Sequence, residues 1–96
     1  MSIMVEVFAS PGCRICGRAK AILHEIAEQI GSDRIHWREV NVVEELDYAV
    51  NLGILSTPAI AIDGELAFTG LPPVRTLRAE LERRLAMKDR TRRASS

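Results

Sequence analysis

Ser10-Pro11-Gly12-Cys13-Arg14-Ile15-Cys16 holds both cysteines of the chain, and its reading decides the rest. Upstream, Met1 to Phe8 is a short run rich in β-branched and aromatic residues (Ile3, Val5, Val7, Phe8), broken only by Glu6. Such a run fits a central strand buried on both faces. Ser10-Pro11-Gly12 stops it. Downstream, Ile15, Ala19, Ile22, Ile26 and Ile30 form one helical stripe, widened by Leu23 and Ala27, and Gly31 follows as a C-cap. A strand therefore feeds a helix through a Cys-x-x-Cys corner. The first thiol then faces unpaired backbone N–H groups and the positive end of the helix dipole, which stabilise a thiolate. Thiolate is the nucleophile of disulfide exchange. The corner points to thiol–disulfide redox chemistry.

The same spacing also suits a cysteine-bridged metal or iron–sulfur module, which is the alternative from another class. Two thiolates do not close a tetrahedral zinc site. His24 is two helical turns beyond Cys16, and His36 belongs to another element. A metal site would therefore have to bridge two chains. A purely structural bridge is the weaker reading, because so short a loop removes little unfolded-state entropy.

Ninety-six residues make one domain. The hydrophobic share is 47% and the aromatic share 4%, so the core is aliphatic. Thirteen basic and thirteen acidic side chains give a formal net charge of zero. No global field draws the chain to nucleic acid or an anionic membrane. The first ten residues lack a basic segment followed by a long apolar one, and no apolar run approaches the roughly 20 residues of a bilayer span. A cytoplasmic monomer with no membrane contact is expected.

Ile35 to Val42 reads as a second strand, parallel to the first through a right-handed crossover. Glu44 to Leu52 reads as a short helix with Leu46, Ala49 and Val50 inward, acidic residues in its first turn, and Asn41 as a possible cap. Ile54-Leu55-Ser56-Thr57-Pro58 is a loop, and Ala59 to Ile62 a third strand. Asp63-Gly64 is a hairpin signal that makes Glu65 to Phe68 antiparallel to it. Gly70 and Pro72-Pro73 end that strand. Val74, Leu77, Leu81 and Leu85 then mark a last helix. From Lys88 the apolar period vanishes, so residues 1–87 are expected as the folded domain and 88–96 as a disordered basic tail. The order β-α-β-α-β-β-α gives an α/β, four-stranded mixed sheet with helices on both faces. Cys13 falls at the carboxyl end of the first strand, where open α/β sheets place their chemistry.

On these features the chain resembles the small prokaryotic thioredoxin/glutaredoxin-like proteins of the thioredoxin-fold family, over about residues 3–87. The resemblance rests on Phe8-x-Ser10-Pro11-x-Cys13-x-x-Cys16, on Thr57-Pro58 before the third strand, and on Gly70 after the fourth. It implies a protein-disulfide oxidoreductase with Cys13 as exposed nucleophile and Cys16 as buried resolving thiol. It also implies a cis Pro58 beside the cysteine pair and a Thr57 backbone that pairs with the incoming chain. Gly70 and Arg14 complete the substrate-binding set, Arg14 as a cation beside the thiolate. No cofactor is implied beyond the Cys13–Cys16 disulfide. The implied partners are protein disulfides and an upstream reductase of the thioredoxin-reductase kind, or glutathione if the chain is a glutaredoxin. Gly12 and Val7 stand where larger thioredoxins carry an aromatic and a buried acid. Thr69-Gly70-Leu71-Pro72 replaces the Gly-Gly and carboxylate-holding residues of glutaredoxins. Phe8, Ile15 and Leu71 are candidates for an apolar docking rim and equally for closing the core.

Overall fold

The computed structural model describes residues 2–95, and side chains through residue 90. Its element order is β1 (Ile3–Ala9), α1 (Arg14–Ile30), β2 (Ile35–Asn41), α2 (Leu46–Asn51), β3 (Ala59–Ile62), β4 (Glu65–Thr69) and α3 (Val74–Ser95). The sheet runs β2-β1-β3-β4, with β1 and β2 parallel and the other neighbours antiparallel. The thioredoxin-like α/β architecture expected from the sequence is present.

Side chains alternate across β1, so the sheet divides the interior in two. Ile3, Val5 and Val7 join Ala19, Leu23 and Ile26 of α1 and Leu77, Leu81 and Leu85 of α3. Phe8 faces the other way, onto Ala49 of α2, Val40, Ile54, Ala59 and Ala61. Truncating one of the buried leucines to alanine is worth about 2–5 kcal/mol in such packing. The hairpin between β3 and β4 turns through Asp63 (φ 50°) and Gly64 (φ 79°), the positive-φ pair that a two-residue turn of this hand requires.

Glu6 shares the α2 side of β1 and is 4% exposed. Its carboxylate accepts from Arg38 Nε (2.9 Å) and Nη2 (2.6 Å) on β2 and from the Tyr48 hydroxyl (2.5 Å) on α2. That hydrogen bond, with burial second, pushes the Tyr48 hydroxyl above its ordinary pKa, and the bond to Glu6 likewise raises Arg38. The strand interruption seen in the sequence is thus a buried, fully engaged carboxylate.

Two expectations are corrected, and a third, left open between rim and core, is decided. The short helix covers Leu46–Asn51 rather than 44–52, because the Asn41 side chain accepts from the N–H groups of Val43 and Glu44 and holds residues 42–45 in a turn. Starting later, α2 buries Ala49 but leaves Leu46 58% and Val50 61% exposed. Helix α3 continues through Lys88, Asp89 and Arg90, where a disordered tail is expected from the sequence. Lys88 Nζ there donates to the Ser2 carbonyl (2.7 Å) and to Asp63 Oδ2 (3.2 Å), and Arg34 reaches Asp89 at 3.3 Å. These are charged contacts, so no apolar period announces them. The same expectation for residue 96 and for the side chains of 91–95 lies outside the described residues. Of the apolar rim, Ile15 is exposed (54%), but Phe8 lies wholly in the core and Leu71 packs half-buried against it.

Candidate active site

At the end of β1 the chain turns through Ser10, Pro11 and Gly12, the last at φ +80°. Cys13 N–H closes the turn on the Ser10 carbonyl at 3.2 Å. Cys13 is then the N-cap of α1, in extended backbone geometry (φ −81°, ψ 107°), and its sulfur accepts from the Cys16 N–H at 3.2 Å. A sulfur takes the place that a serine or aspartate oxygen usually fills at a helix start. Cys16, one turn on, is 3% exposed, while Cys13 is half-buried. The two are joined by a disulfide, their Cα atoms 5.4 Å apart. One sulfur is reachable from solvent and the other is sealed beneath it.

Antiparallel pairing of β1 with β3 sets Phe8 opposite Ala59. Continued one and two residues, that register brings Ala9 toward Pro58 and Ser10 toward Thr57. The hydroxyls of Ser10 and Thr57 meet at 2.7 Å. The Thr57–Pro58 peptide bond is cis, and Pro58 is buried. Gly70 N–H donates to the Pro58 carbonyl at 2.7 Å, with Gly70 at φ +87°. The structure therefore gathers Cys13, Cys16, Thr57, Pro58 and Gly70 at one end of the sheet. Arg14 stands exposed on the first turn of α1, next to Cys13.

Ser10 carries the link between the corner and the proline loop, a role that sequence reasoning did not give it. Only the β1–β3 register shows that its hydroxyl lies opposite Thr57. Chemically, the arrangement can hold a thiolate at Cys13, because a backbone N–H already aims at that sulfur and the helix dipole adds to it. It can then return a disulfide through Cys16.

Residues 1–82 match the family model described as "Thioredoxin domain", so the chain belongs to the thioredoxin domain family. With its cysteine pair in a disulfide at the head of α1, it is a protein-disulfide oxidoreductase of that family. It is 32% identical over 83 residues to the thioredoxin of Methanocaldococcus jannaschii, covering 86% of this chain and 96% of that one. It is 33% identical over 72 residues to a probable thioredoxin of Methanothermobacter marburgensis, covering 75% of this chain and 84% of that one. Among solved structures, a mutant thioredoxin from Halobacterium salinarum shares the fold with a TM-score of 0.71 at 21% identity, over 84% of this chain and 73% of that one. The oxidised thioredoxin of Plasmodium falciparum does so with a TM-score of 0.69 at 17% identity, over 88% and 82% respectively. The family as a whole acts on protein disulfides and is served by a reductase. Among the described residues, no helix is long and apolar enough to cross a membrane.

Proposed function

We propose that this chain reduces protein disulfides as a small electron carrier, cycling Cys13 and Cys16 between dithiol and disulfide. The observation that carries the reading is the half-buried Cys13 sulfur at the N-cap of α1, receiving the Cys16 N–H, with Cys16 sealed below it. In the reduced protein the Cys13 thiolate attacks one sulfur of a substrate disulfide. A mixed disulfide forms, and the other substrate sulfur leaves as thiolate and takes up a proton. Cys16, giving up its proton, then attacks the Cys13 sulfur, which releases the second substrate thiol and leaves the Cys13–Cys16 disulfide. Two electrons pass to the substrate. An upstream reductase of the thioredoxin-reductase type returns them.

Thr57, fixed beside the corner by Ser10, offers its backbone to an incoming extended chain, and Gly70 keeps the proline loop in place through the Pro58 carbonyl. Arg14 adds positive charge beside Cys13 from its exposed position. No further cofactor enters this cycle. Glutathione is the less suitable donor, because Leu71 after Gly70 packs against the core and offers no group for its carboxylate. The chain works as a monomer in the cytoplasm.

The test is reduction of insulin disulfides by dithiothreitol in the presence of the protein. Wild type accelerates the reaction, and Cys13→Ser falls to the rate of dithiothreitol alone. Full activity in Cys13→Ser overturns the reading.

A further inference from the structure

Helices α1 and α3 cover the same side of the sheet and share one core, which includes Leu23 and Leu77. Both begin at the redox end. Helix α1 follows β1 directly, and β4, which points the same way as β1, leads into α3. Arg14 and Arg18 stand exposed on the first half of α1, and Arg75 and half-buried Arg78 on the first turns of α3. Among the described residues, none of these arginines meets a carboxylate, whereas Lys20, Arg34, Arg38, Arg83, Arg84 and Lys88 each do.

We propose that this arginine patch docks an acidic surface of the partner protein whose disulfide Cys13 attacks. The proposal rests on the disulfide-reducing reading above and names the charge of the substrates that reading favours. Three observations carry it. Convergence comes first. Lys20 reaches Glu39 on β2, so Arg18, about 200° from it around α1, occupies the flank turned toward α3. Glu80 lies with Phe68 of β4 on the outer flank of α3, so Arg78, about 200° away, faces back toward α1. Arg14, one turn before Arg18 and next to Cys13, joins the patch to the exchange site. Helix polarity comes second. Neither α1 nor α3 carries an acidic residue in its first turn. Arginines there oppose the helix dipole and weaken the helices that bear them, so fold stability does not account for them. Asymmetry comes third. Glu44 and Asp47 stand exposed at the same end, but on the α2 side of the sheet. A phosphate chain crossing the corner would run into those carboxylates, whereas a folded protein can present acid to the α1–α3 side alone.

The experiment reacts the reduced full chain with short synthetic peptides, each carrying one cysteine as its thiopyridyl mixed disulfide. Three Glu, Gln or Lys residues stand either before or after that cysteine, and release of thiopyridone gives the second-order rate. Dithiodipyridine, which is neutral and carries no peptide, reports the Cys13 chemistry separately. At low salt the Glu peptide is expected to react about tenfold faster than the Gln peptide in one placement, with the Lys peptide slowest. In 1 M salt that ratio falls to about twofold or less. Arg18→Gln combined with Arg78→Gln reduces the low-salt ratio to about threefold or less and leaves the rate with dithiodipyridine unchanged. A wild type that does not accelerate insulin reduction overturns the disulfide-reducing reading itself. One that accelerates it but reacts equally with the Glu and Gln peptides overturns the patch alone, as does a preference that survives the double variant. A double variant that slows equally with dithiodipyridine also overturns it, because the arginines then act on Cys13 and not on the partner. Inhibition of insulin reduction by a DNA duplex but not by polyglutamate overturns it as well, and gives the patch to nucleic acid.

Discussion

Ser10 Oγ and Thr57 Oγ1 stand 2.7 Å apart although 47 residues separate them in the chain. This one contact fastens the corner that carries Cys13 to the loop that carries Pro58. Ser10→Ala and Thr57→Val each remove it and lower stability by about 1 kcal/mol, the usual worth of such a bond. Each also raises KM for a protein disulfide more than it lowers kcat, because the corner and the loop then shift independently. Combining the two changes costs little beyond either alone. Thermal denaturation of the four proteins of the cycle, with insulin kinetics, checks both statements.

The sealed position of Cys16 predicts how the cycle breaks. Cys16→Ser retains the attacking sulfur but has no thiol to resolve the adduct. It therefore accumulates a covalent complex with a disulfide substrate, visible as a mass increase that dithiothreitol reverses. Cys13→Ser gives no adduct, since the remaining sulfur is 3% exposed. Reduced Cys13 is alkylated by iodoacetamide at pH 7 about tenfold faster than free cysteine, as its helix-capping position favours the thiolate.

Glu6 and Arg38 form a pair in which the acid is buried and the base is half in water. Arg38→Met leaves the carboxylate with the Tyr48 hydroxyl as its remaining side-chain donor among the bonds described above. It costs about 2–3 kcal/mol, below the range for a wholly buried pair because Arg38 is 46% exposed. Adding Glu6→Met to that variant recovers most of the loss, since no charge then remains buried. Chemical denaturation of the single and double variants checks this, and a double variant as unstable as Arg38→Met alone would refute it.

Glu80 supplies a pH dependence. Hydrogen bonds from Arg83 and then Arg84 lower its pKa from 4.5 to about 2. A carboxyl whose folded pKa is lowered stabilises the protein above its unfolded pKa and loses that contribution as pH falls through the folded value. Wild type therefore exceeds Glu80→Gln in stability at pH 6 by about 1 kcal/mol, allowing for screening at the surface. The difference shrinks from about pH 4.5 downward and is gone once the pH has fallen below about 2. Melting temperatures across that interval decide it, and 1 M salt at pH 6 diminishes the gap.

Gly70 separates conformation from space. An added Cβ would meet no atom within 4 Å, yet φ is +87°. Gly70→Ala therefore costs about 1 kcal/mol in backbone strain alone. Larger side chains cost little more, which a series of substitutions monitored by thermal melting tests directly.

The elements built on local signals were legible in the sequence: the β1 run, the α1 stripe ending at Gly31, the Asp63-Gly64 hairpin and the Val74–Leu85 period. The cysteine pair and its helix were legible because spacing alone determines them. What sequence could not show depends on partners distant in the chain. Glu6 looks like an interruption until Arg38 and Tyr48, 32 and 42 residues away, arrive beside it. Asn41 delays α2 by binding two N–H groups with its side chain, and so turns Leu46 outward. Lys88 belongs to α3 because Ser2 and Asp63 are there to receive it. Ser10 meets Thr57 only once the strand register is known.

The contact of Lys88 with Ser2 and Asp63 lies at the start of β1, and Cys13 lies just past its end. Asp63 Oδ1 also accepts from Met4 N–H there, at 2.9 Å. Seven strand residues, about 23 Å, stand between the two poles. A bead, electrode linker or fused domain attached at this far pole would hold the protein by its back. The redox corner would then face outward, as an immobilised reducing surface requires.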